Sequence, residues 1–452
     1  MRVHFIAIGG SAMHNLALAL HQKGYKVTGS DDEIFEPSRG RLAAKGILPE
    51  AWGWFPEKIT PQLDAIILGM HARRDNPELQ KAIELGLKVY SYPEYLYSQT
   101  TDKQRVVIGG SHGKTTVTSM VMHALRVAQK AYDFMVGAQL EGFDTMVSLT
   151  KDAPIAVFEG DEYLSSPIDL RPKFLWYQPH IAVLTGVAWD HINVFPTFEN
   201  YVDQFAQFAQ TIEDGGTLIY YKGDEHLCRI AQQEQGRLEL VAYDAIDHRI
   251  ENGSTTVIYN NHSYELKIFG SHNLQNISAA MAVCQRLGVD GDTFLKSMMT
   301  FAGAARRLQI LHQSEQSAVY FDFAHSPSKL KATTAAVKEQ FPNRKLVACM
   351  ELHTFSSLNK AFLPQYLHSM QMADEAYVYF SPKVIEHKRL EQFDPQEVAD
   401  AFQHPNLKVI TNSAALFDEL KHRNWQNTNL LIMTSGNCDG VDIKSVVKEF
   451  SV

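Results

Sequence analysis

Cysteine is scarce in this chain. Four residues among 452, Cys228, Cys284, Cys349 and Cys438, lie too far apart in sequence for a CxxC pair or a thiolate metal site. This excludes a disulfide framework, and the four read as buried thiols of a protein kept in a reducing cytoplasm. Apolar runs are short throughout, and none is long enough to span a bilayer. The apolar start from Val3 to Ile8 runs directly into Gly9-Gly10, which fits a first β-strand and not a secretory signal. Positive charge is not in excess either: 42 Lys and Arg against 51 Asp and Glu leave a formal net charge of −9. That argues against nucleic acid or an anionic membrane as partner. Internal repeats and low-complexity tracts are missing. What remains, 45% hydrophobic and 21% charged, is an ordinary globular composition with enough chain for two to four domains.

The most informative stretch is Val106-Val107-Ile108-Gly109-Gly110-Ser111-His112-Gly113-Lys114-Thr115-Thr116. An apolar strand enters a glycine-rich turn, and apolar-periodic residues (Val117, Met120, Val121, Ala124, Leu125) then open a helix. Glycines let backbone N–H groups close around phosphate oxygens, Lys114 adds a point charge, Thr115 offers a hydroxyl to Mg²⁺, and the helix dipole favours the anion. The common phosphate-loop spacing would place its first glycine at position 108, where Ile108 stands.

Strands alternate with helices around this loop. An N-terminal region of residues 1–103 opens with strand 3–8, a Gly9-Gly10 turn and a helix over 12–23, followed by strands at 26–29 and 64–68. Such alternation marks a parallel sheet. A central region, 104–304, carries the phosphate loop, strands at 155–158 and 181–185, antiparallel hairpins over 249–269 and a helix over 274–287. A third αβ region, 305–452, has strands at 318–323, 345–350, 375–380 and 430–434. In the first region, Ala7-Ile8-Gly9-Gly10-Ser11-Ala12 occupies the place of a dinucleotide fingerprint with alanines for its outer glycines, and Asp31 ends the second strand, placed for a ribose hydroxyl. The altered pattern disfavours NAD and leaves another nucleotide open; a tight turn with no ligand fits equally well.

Glu159 and His191 each follow the end of an apolar strand in the phosphate-loop region, where α/β sheets bind ligands and phosphoryl transfer needs a divalent cation. Three further constellations, His272-Asn273-Leu274-Gln275-Asn276, Arg306-Arg307 and Asp322-Phe323-Ala324-His325-Ser326-Pro327, read singly as a helix cap, a basic linker and a strand exit.

In this order the motifs resemble the ATP-dependent Mur ligase family of peptidoglycan synthesis over nearly the whole chain. The resemblance implies an α/β, three-domain Mur ligase architecture. Residues 1–103 would form a Rossmann-like UDP-binding domain, 104–304 a central P-loop ATPase domain, and 305–452 a C-terminal Rossmann-like domain for the amine substrate. It implies ATP and Mg²⁺ as cofactors. Gly110, Ser111, His112, Gly113, Lys114, Thr115 and Thr116 would hold ATP, with His272, Asn273 and Asn276 at the adenine, Arg306 at the phosphates, and Asp322 and His325 near the ribose. Thr115, Glu159 and His191 would ligate the metal; Lys114, Glu159, His191 and Arg306 would form the catalytic set.

Two details narrow the branch. Ile8-Gly9-Gly10-Ser11-Ala12-Met13 resembles the UDP-sugar loop Ile-Gly-Gly-x-Gly-Met of ligases that act on UDP-N-acetylmuramate, with Gly9, Gly10, Ser11, Ala12 and Asp31 at the substrate. Other branches carry a carbamylated lysine in Tyr-x-x-x-Lys, where this chain has Tyr201 and Phe205. The segment from Glu159 to Phe174, with Arg171 and Lys173 as cations for peptide carboxylates, resembles ligases that attach a preformed cell-wall tripeptide, L-Ala-γ-D-Glu-meso-diaminopimelate. The expectation is therefore a recycling ligase for that tripeptide, with the L-alanine-adding ligase as the alternative. A folylpolyglutamate-type ligase and a non-enzymatic ATP-binding module stand further off.

Overall fold

The structure is a computed structural model that describes residues 1–140, 142–189, 194–304 and 306–450. The chain divides into two compact units, taken here one at a time: residues 1–187, 199–243 and 279–290, and residues 188–198, 244–278 and 291–452.

The first unit holds two sheets. One has four parallel strands in the order Lys26–Ser30, Arg2–Ile6, Ala65–Leu68, Val89–Ser91. Its core is Ile6, Ile66, Leu68 and Leu79, all fully buried. The other has seven strands, with Gln104–Gly109 at its centre between Ile181–Leu184 and Ile155–Glu159. All its pairings are parallel except that of Val147–Ser148 with Tyr132–Met135. The central strand is apolar on both faces because helices cover both. A buried ion pair pins the entry to this sheet: Lys103 Nζ lies 3.2 Å from Asp133 Oδ2, at side-chain exposures of 2% and 0%. Lys103 also donates to the carbonyls of Thr150 and Ala153, while Asp133 accepts from the Thr150 N–H and hydroxyl.

The second unit holds a three-stranded antiparallel sheet, His248–Glu251, Ser254–Tyr259 and His262–Leu266. Its turns fall at Asn252-Gly253 and Asn260-Asn261, all at positive φ (51°, 78°, 48° and 61°), the geometry of two-residue hairpins. A six-stranded sheet runs Gln309–Gln313, Ala318–Asp322, Thr428–Met433, Lys345–Leu352, Glu375–Phe380, Leu407–Ile410, with only the first strand antiparallel. Alternate residues feed two cores: Tyr320, Ala348, Met350, Val378 and Leu431 on one face, Val319, Phe321, Val347, Tyr377 and Ile432 on the other.

Both hairpins stand where the sequence places them. The helix expected over 274–287 begins earlier, at Ser271, because Gly270 at φ 92° turns the chain directly into it. Seven strands lay outside the expectation: Val89–Ser91, Tyr132–Met135, Val147–Ser148, Thr217–Tyr221, Glu239–Tyr243, Gln309–Gln313 and Leu407–Ile410. Three cysteines are buried as expected, but Cys228 is partly exposed on a helix flank. Among the described residues no helix is long and apolar enough to cross a membrane.

Candidate functional site

The phosphate-loop strand ends at Gly109, and the helix Lys114–Val127 begins beyond Gly113. Gly110 (φ 128°) and Gly113 (φ 78°) take backbone conformations that side chains resist. The loop is anchored from the neighbouring strand end: Ser111 N donates to the Gly186 carbonyl at 2.9 Å, and the Thr185 hydroxyl donates to the Gly109 and His112 carbonyls. The His112 ring lies against Gly186, and Thr116 is buried in the first helical turn.

Charged groups converge on this loop. Lys114 Nζ donates to the Gly110 carbonyl at 2.7 Å and to Glu162 Oε2 at 2.7 Å. Burial works against the Lys114 cation, but Glu162, Asp161 and Glu159 more than reverse it and hold its pKa above the ordinary lysine value. Thr115 Oγ1 donates to Glu159 Oε1 at 2.9 Å, and the Gly137 N–H donates to Glu159 Oε2 at 2.8 Å. Burial raises the pKa of Glu159, and the Gly137 N–H and Lys114 only partly oppose it. These two adjacent hard oxygens, a hydroxyl and a carboxylate beside a phosphate loop, fit Mg²⁺, which takes one or two carboxylates and completes its shell with phosphate and water. His191 lies outside the described residues. Among the described residues no three His, Cys, Asp or Glu side chains cluster to hold a metal by themselves.

Glu162, Tyr201 and the Gly137 N–H are the members that sequence reasoning left without a role. Glu162 is 1% exposed on its side chain; its Oε1 accepts from Tyr201 OH at 3.0 Å, and that phenol meets Ser111 Oγ at 2.9 Å. The available signal was the acidic run straight after a fully apolar strand. Phe205, where other branches have lysine, is fully buried among Tyr201 and Phe174, with ring centroids at 5.1 and 5.7 Å.

Arg171 and Lys173 are not free cations. Arg171 forms a two-point pair with Asp169 (2.9 and 3.1 Å) and stacks over Trp176 at 4.0 Å. Lys173 Nζ lies 2.5 Å from Asp161 Oδ2. Burial works against the Asp161 carboxylate, yet Lys173 and Lys114 hold its pKa well below the usual carboxylate range.

In the same unit the Gly9-Gly10 turn faces a cavity of about 620 Å³ lined also by Asp31, Arg41, Gln139 and Met146. The Gly9 N–H donates to Asp31 Oδ2 at 2.6 Å. Asp31 is 7% exposed, and burial pushes its carboxyl up to about 6. Ser11 and Ala12 are exposed at the start of the helix Ser11–Gln22, beside the cavity. Arg41, which donates to Gln139 Oε1 at 3.0 Å, is a cation at this cavity that no motif in the sequence singles out.

In the second unit, Asp322 spends both oxygens on backbone: Leu308 N and Ala324 N each donate to it at 2.7 Å. Phe323 N donates to the Arg306 carbonyl at 2.8 Å, and the exposed Arg306, at φ 56°, lies over the Phe321 ring at 5.4 Å. His325 Nδ1 meets the Phe323 carbonyl at 2.8 Å. Asn273, with its Nδ2 on the Phe269 carbonyl, and Asn276 are buried. Burial lowers the pKa of His272, and Asp322 partly restores it. The residues expected at adenine and ribose thus lie in the second unit together with Arg306, and the loop from Gly110 to Thr116 and Glu159 lie in the first.

Comparison with known proteins gives three family-model matches in chain order: Mur ligase family, catalytic domain, over residues 2–103; Mur ligase middle domain over 108–284; and Mur ligase, glutamate ligase domain, over 306–438. They reproduce the α/β three-domain architecture read from the motifs. A UDP-N-acetylmuramate–L-alanine ligase of Lactiplantibacillus plantarum is 32% identical over 388 residues, 83% of each chain. Among solved structures, a UDP-N-acetylmuramate–alanine ligase from Thermotoga maritima superposes with a TM-score of 0.70 at 21% identity, covering 99% of this chain and 98% of that one. A murein peptide ligase from Psychrobacter arcticus gives 0.65 at 22% identity, covering 100% and 99%. At these identities the two structures speak for the fold alone. The curated relative overturns the expectation of a tripeptide ligase, and the engaged Arg171 and Lys173 remove its physical support: both cations already hold carboxylates of their own segment.

Proposed function

This chain is a member of the Mur ligase family, ATP-dependent and ADP-forming acid–amino-acid ligases, and we propose that it joins L-alanine to the lactyl carboxylate of UDP-N-acetylmuramate. The observation that carries this reading is the 32% identity, over 83% of the chain, to a ligase of that name. The reaction belongs to the cytoplasm, where ATP and UDP-sugars are made.

In this reading the Gly9-Gly10 turn and the cavity beside it take the UDP-sugar, and the loop from Gly110 to Thr116 takes the phosphates of ATP. The lactyl carboxylate is a poor electrophile. Transfer of the γ-phosphoryl group to it makes an acyl phosphate, and the free amine of L-alanine then displaces phosphate. Lys114 stabilises charge on the transferring group, exchanging Glu162 for phosphate oxygens as its counter-ion. Tyr201 and Ser111 keep Glu162 beside the loop, so the lysine stays aimed at it. Thr115, Glu159 and His191 would hold Mg²⁺, which when bound neutralises phosphate charge. Arg306 would supply a second cation, and His272, Asn273, Asn276, Asp322 and His325 would serve the nucleoside.

The deciding assay supplies UDP-N-acetylmuramate and ATP with either L-alanine or the tripeptide and measures ADP release. L-Alanine should give a kcat/KM at least about tenfold higher, roughly 1.4 kcal/mol of transition-state discrimination. Turnover with the tripeptide and none with L-alanine would refute the reading.

A further inference from the structure

One buried titratable side chain beside the cavity is unused by this mechanism. His14, 2% exposed, sits on the helix that follows the Gly9-Gly10 turn. Its Nδ1 lies 3.0 Å from the Gly10 carbonyl oxygen and 3.0 Å from Ser38 Oγ, and its Nε2 lies 3.1 Å from Asn15 Nδ2. The Asn15 amide has a fixed orientation: Oδ1 accepts from Met146 N at 2.9 Å, and Nδ2 donates to the Ser11 carbonyl at 2.8 Å. A carbonyl only accepts, so Nδ1 of His14 carries the proton. The Asn15 Nδ2 only donates, so Nε2 is the bare acceptor. The ring is the neutral Nδ1–H tautomer, and every polar atom of the pair is satisfied.

This network reaches the lining of the cavity, to which Gly10, Ser11, His14 and Met146 all belong. The Gly10 carbonyl receives two donors, His14 N at 2.9 Å and His14 Nδ1. In a planar trans peptide the Ser11 N–H points opposite to that carbonyl, outward from the helix start. Pinning the carbonyl therefore aims the N–H, while Asn15 ties the same turn of helix to the adjoining Met146 backbone.

We propose that His14 and Asn15 are positioning residues for the diphosphate of the UDP-sugar: together they orient the Gly10–Ser11 peptide and fix it against the Met146 backbone. This rests on the reading of the cavity as the UDP-sugar site. The test measures UDP-N-acetylmuramate and ATP kinetics, and calorimetric UDP-N-acetylmuramate binding, for wild type, His14→Leu and His14→Asn. Asparagine places an amide N–H the same number of bonds from Cα as Nδ1. His14→Leu should raise KM for UDP-N-acetylmuramate about tenfold or more, with kcat and the KM for ATP within about twofold, and His14→Asn should recover most of the loss. If His14→Leu fails to fold, His14→Ala carries the same comparison. An unchanged KM for the UDP-sugar, or an equal loss for both substrates, overturns the inference. Wild-type protein that fails to bind UDP-N-acetylmuramate at all would instead overturn the UDP-sugar reading beneath it.

Discussion

Two glycine turns in the first unit share a plan: an apolar parallel strand, a turn, a helix beginning at its N-terminus. They differ in backbone and in charge. At the phosphate loop, Gly110 and Gly113 sit at φ 128° and 78°. At the N-terminal turn the positive φ falls on Ala7 (68°), and Gly10 sits at φ −57°, open to any residue. The phosphate loop carries Lys114 paired with Glu162, and Thr115 paired with Glu159. The N-terminal turn holds a carboxylate, Asp31, bound to a backbone N–H. In the proposed function the difference separates two tasks: one turn would face a phosphoryl group whose charge moves during reaction, the other a diphosphate that only needs a place to sit.

The largest expected effect is at Lys114. Lys114→Ala should lower kcat about a hundred- to a thousandfold, roughly 3–4 kcal/mol, and should also lower the thermal midpoint, because the buried Glu162 loses its counter-ion. Near-normal ADP release in that variant would erase the charge half of the contrast. The backbone half is tested by alanine at each turn. A Cβ on Gly110 would stand 2.1 Å from Thr185 Oγ1 and 2.8 Å from its backbone N, in addition to the strained φ. Gly110→Ala should cost about 3 kcal/mol in denaturant unfolding. A Cβ on Gly10 meets nothing nearer than Met13 Cγ at 3.6 Å, so Gly10→Ala should cost no more than about 1 kcal/mol, the ordinary loss at a helix cap. Equal costs at the two turns would collapse the distinction.

A smaller effect is expected at Asp31. A carboxyl raised to about 6 binds its proton more tightly folded than unfolded, so its ionisation reduces stability as pH rises from about 4 to about 6. Asp31→Asn should therefore stabilise the protein above pH 6 by about 2 kcal/mol, and the gain should vanish below about pH 4, where the carboxyl is protonated in both states. Unfolding curves across that range would show it, and a pH-independent difference would count against it. The smallest expected effect is none: with Phe205 buried among aromatic rings, removing CO₂ from the buffer should leave turnover unchanged. Activity restored by bicarbonate would mean that a lysine elsewhere serves.

The sequence made legible whatever is local and periodic. The phosphate-loop strand and helix, the two hairpins with Asn-Gly and Asn-Asn at positive φ, and the alternating strands of the second unit all follow from neighbouring residues. Short flanking strands such as Leu407–Ile410 were illegible, because their partly exposed residues carry no clear alternation. The same limit governs the site. Glu159 was visible from its strand end, but Glu162 reads as one more acid in a turn until the fold buries it against Lys114. Arg171 and Lys173 failed in the opposite sense: as isolated cations they invite an acidic ligand, and only the structure shows Asp169 and Asp161 occupying them.

The ion pair between Lys103 and Asp133 sets a limit on how this chain can drift. Replacing either partner alone strands the other charge where no water reaches it, at a cost of about 3–5 kcal/mol, a large share of what holds a domain folded. Replacing both with well-packed apolar side chains is close to neutral. Descendants of this sequence should therefore keep both residues or lose both, and the route between those states passes through a single-substitution valley that selection seldom lets a lineage cross.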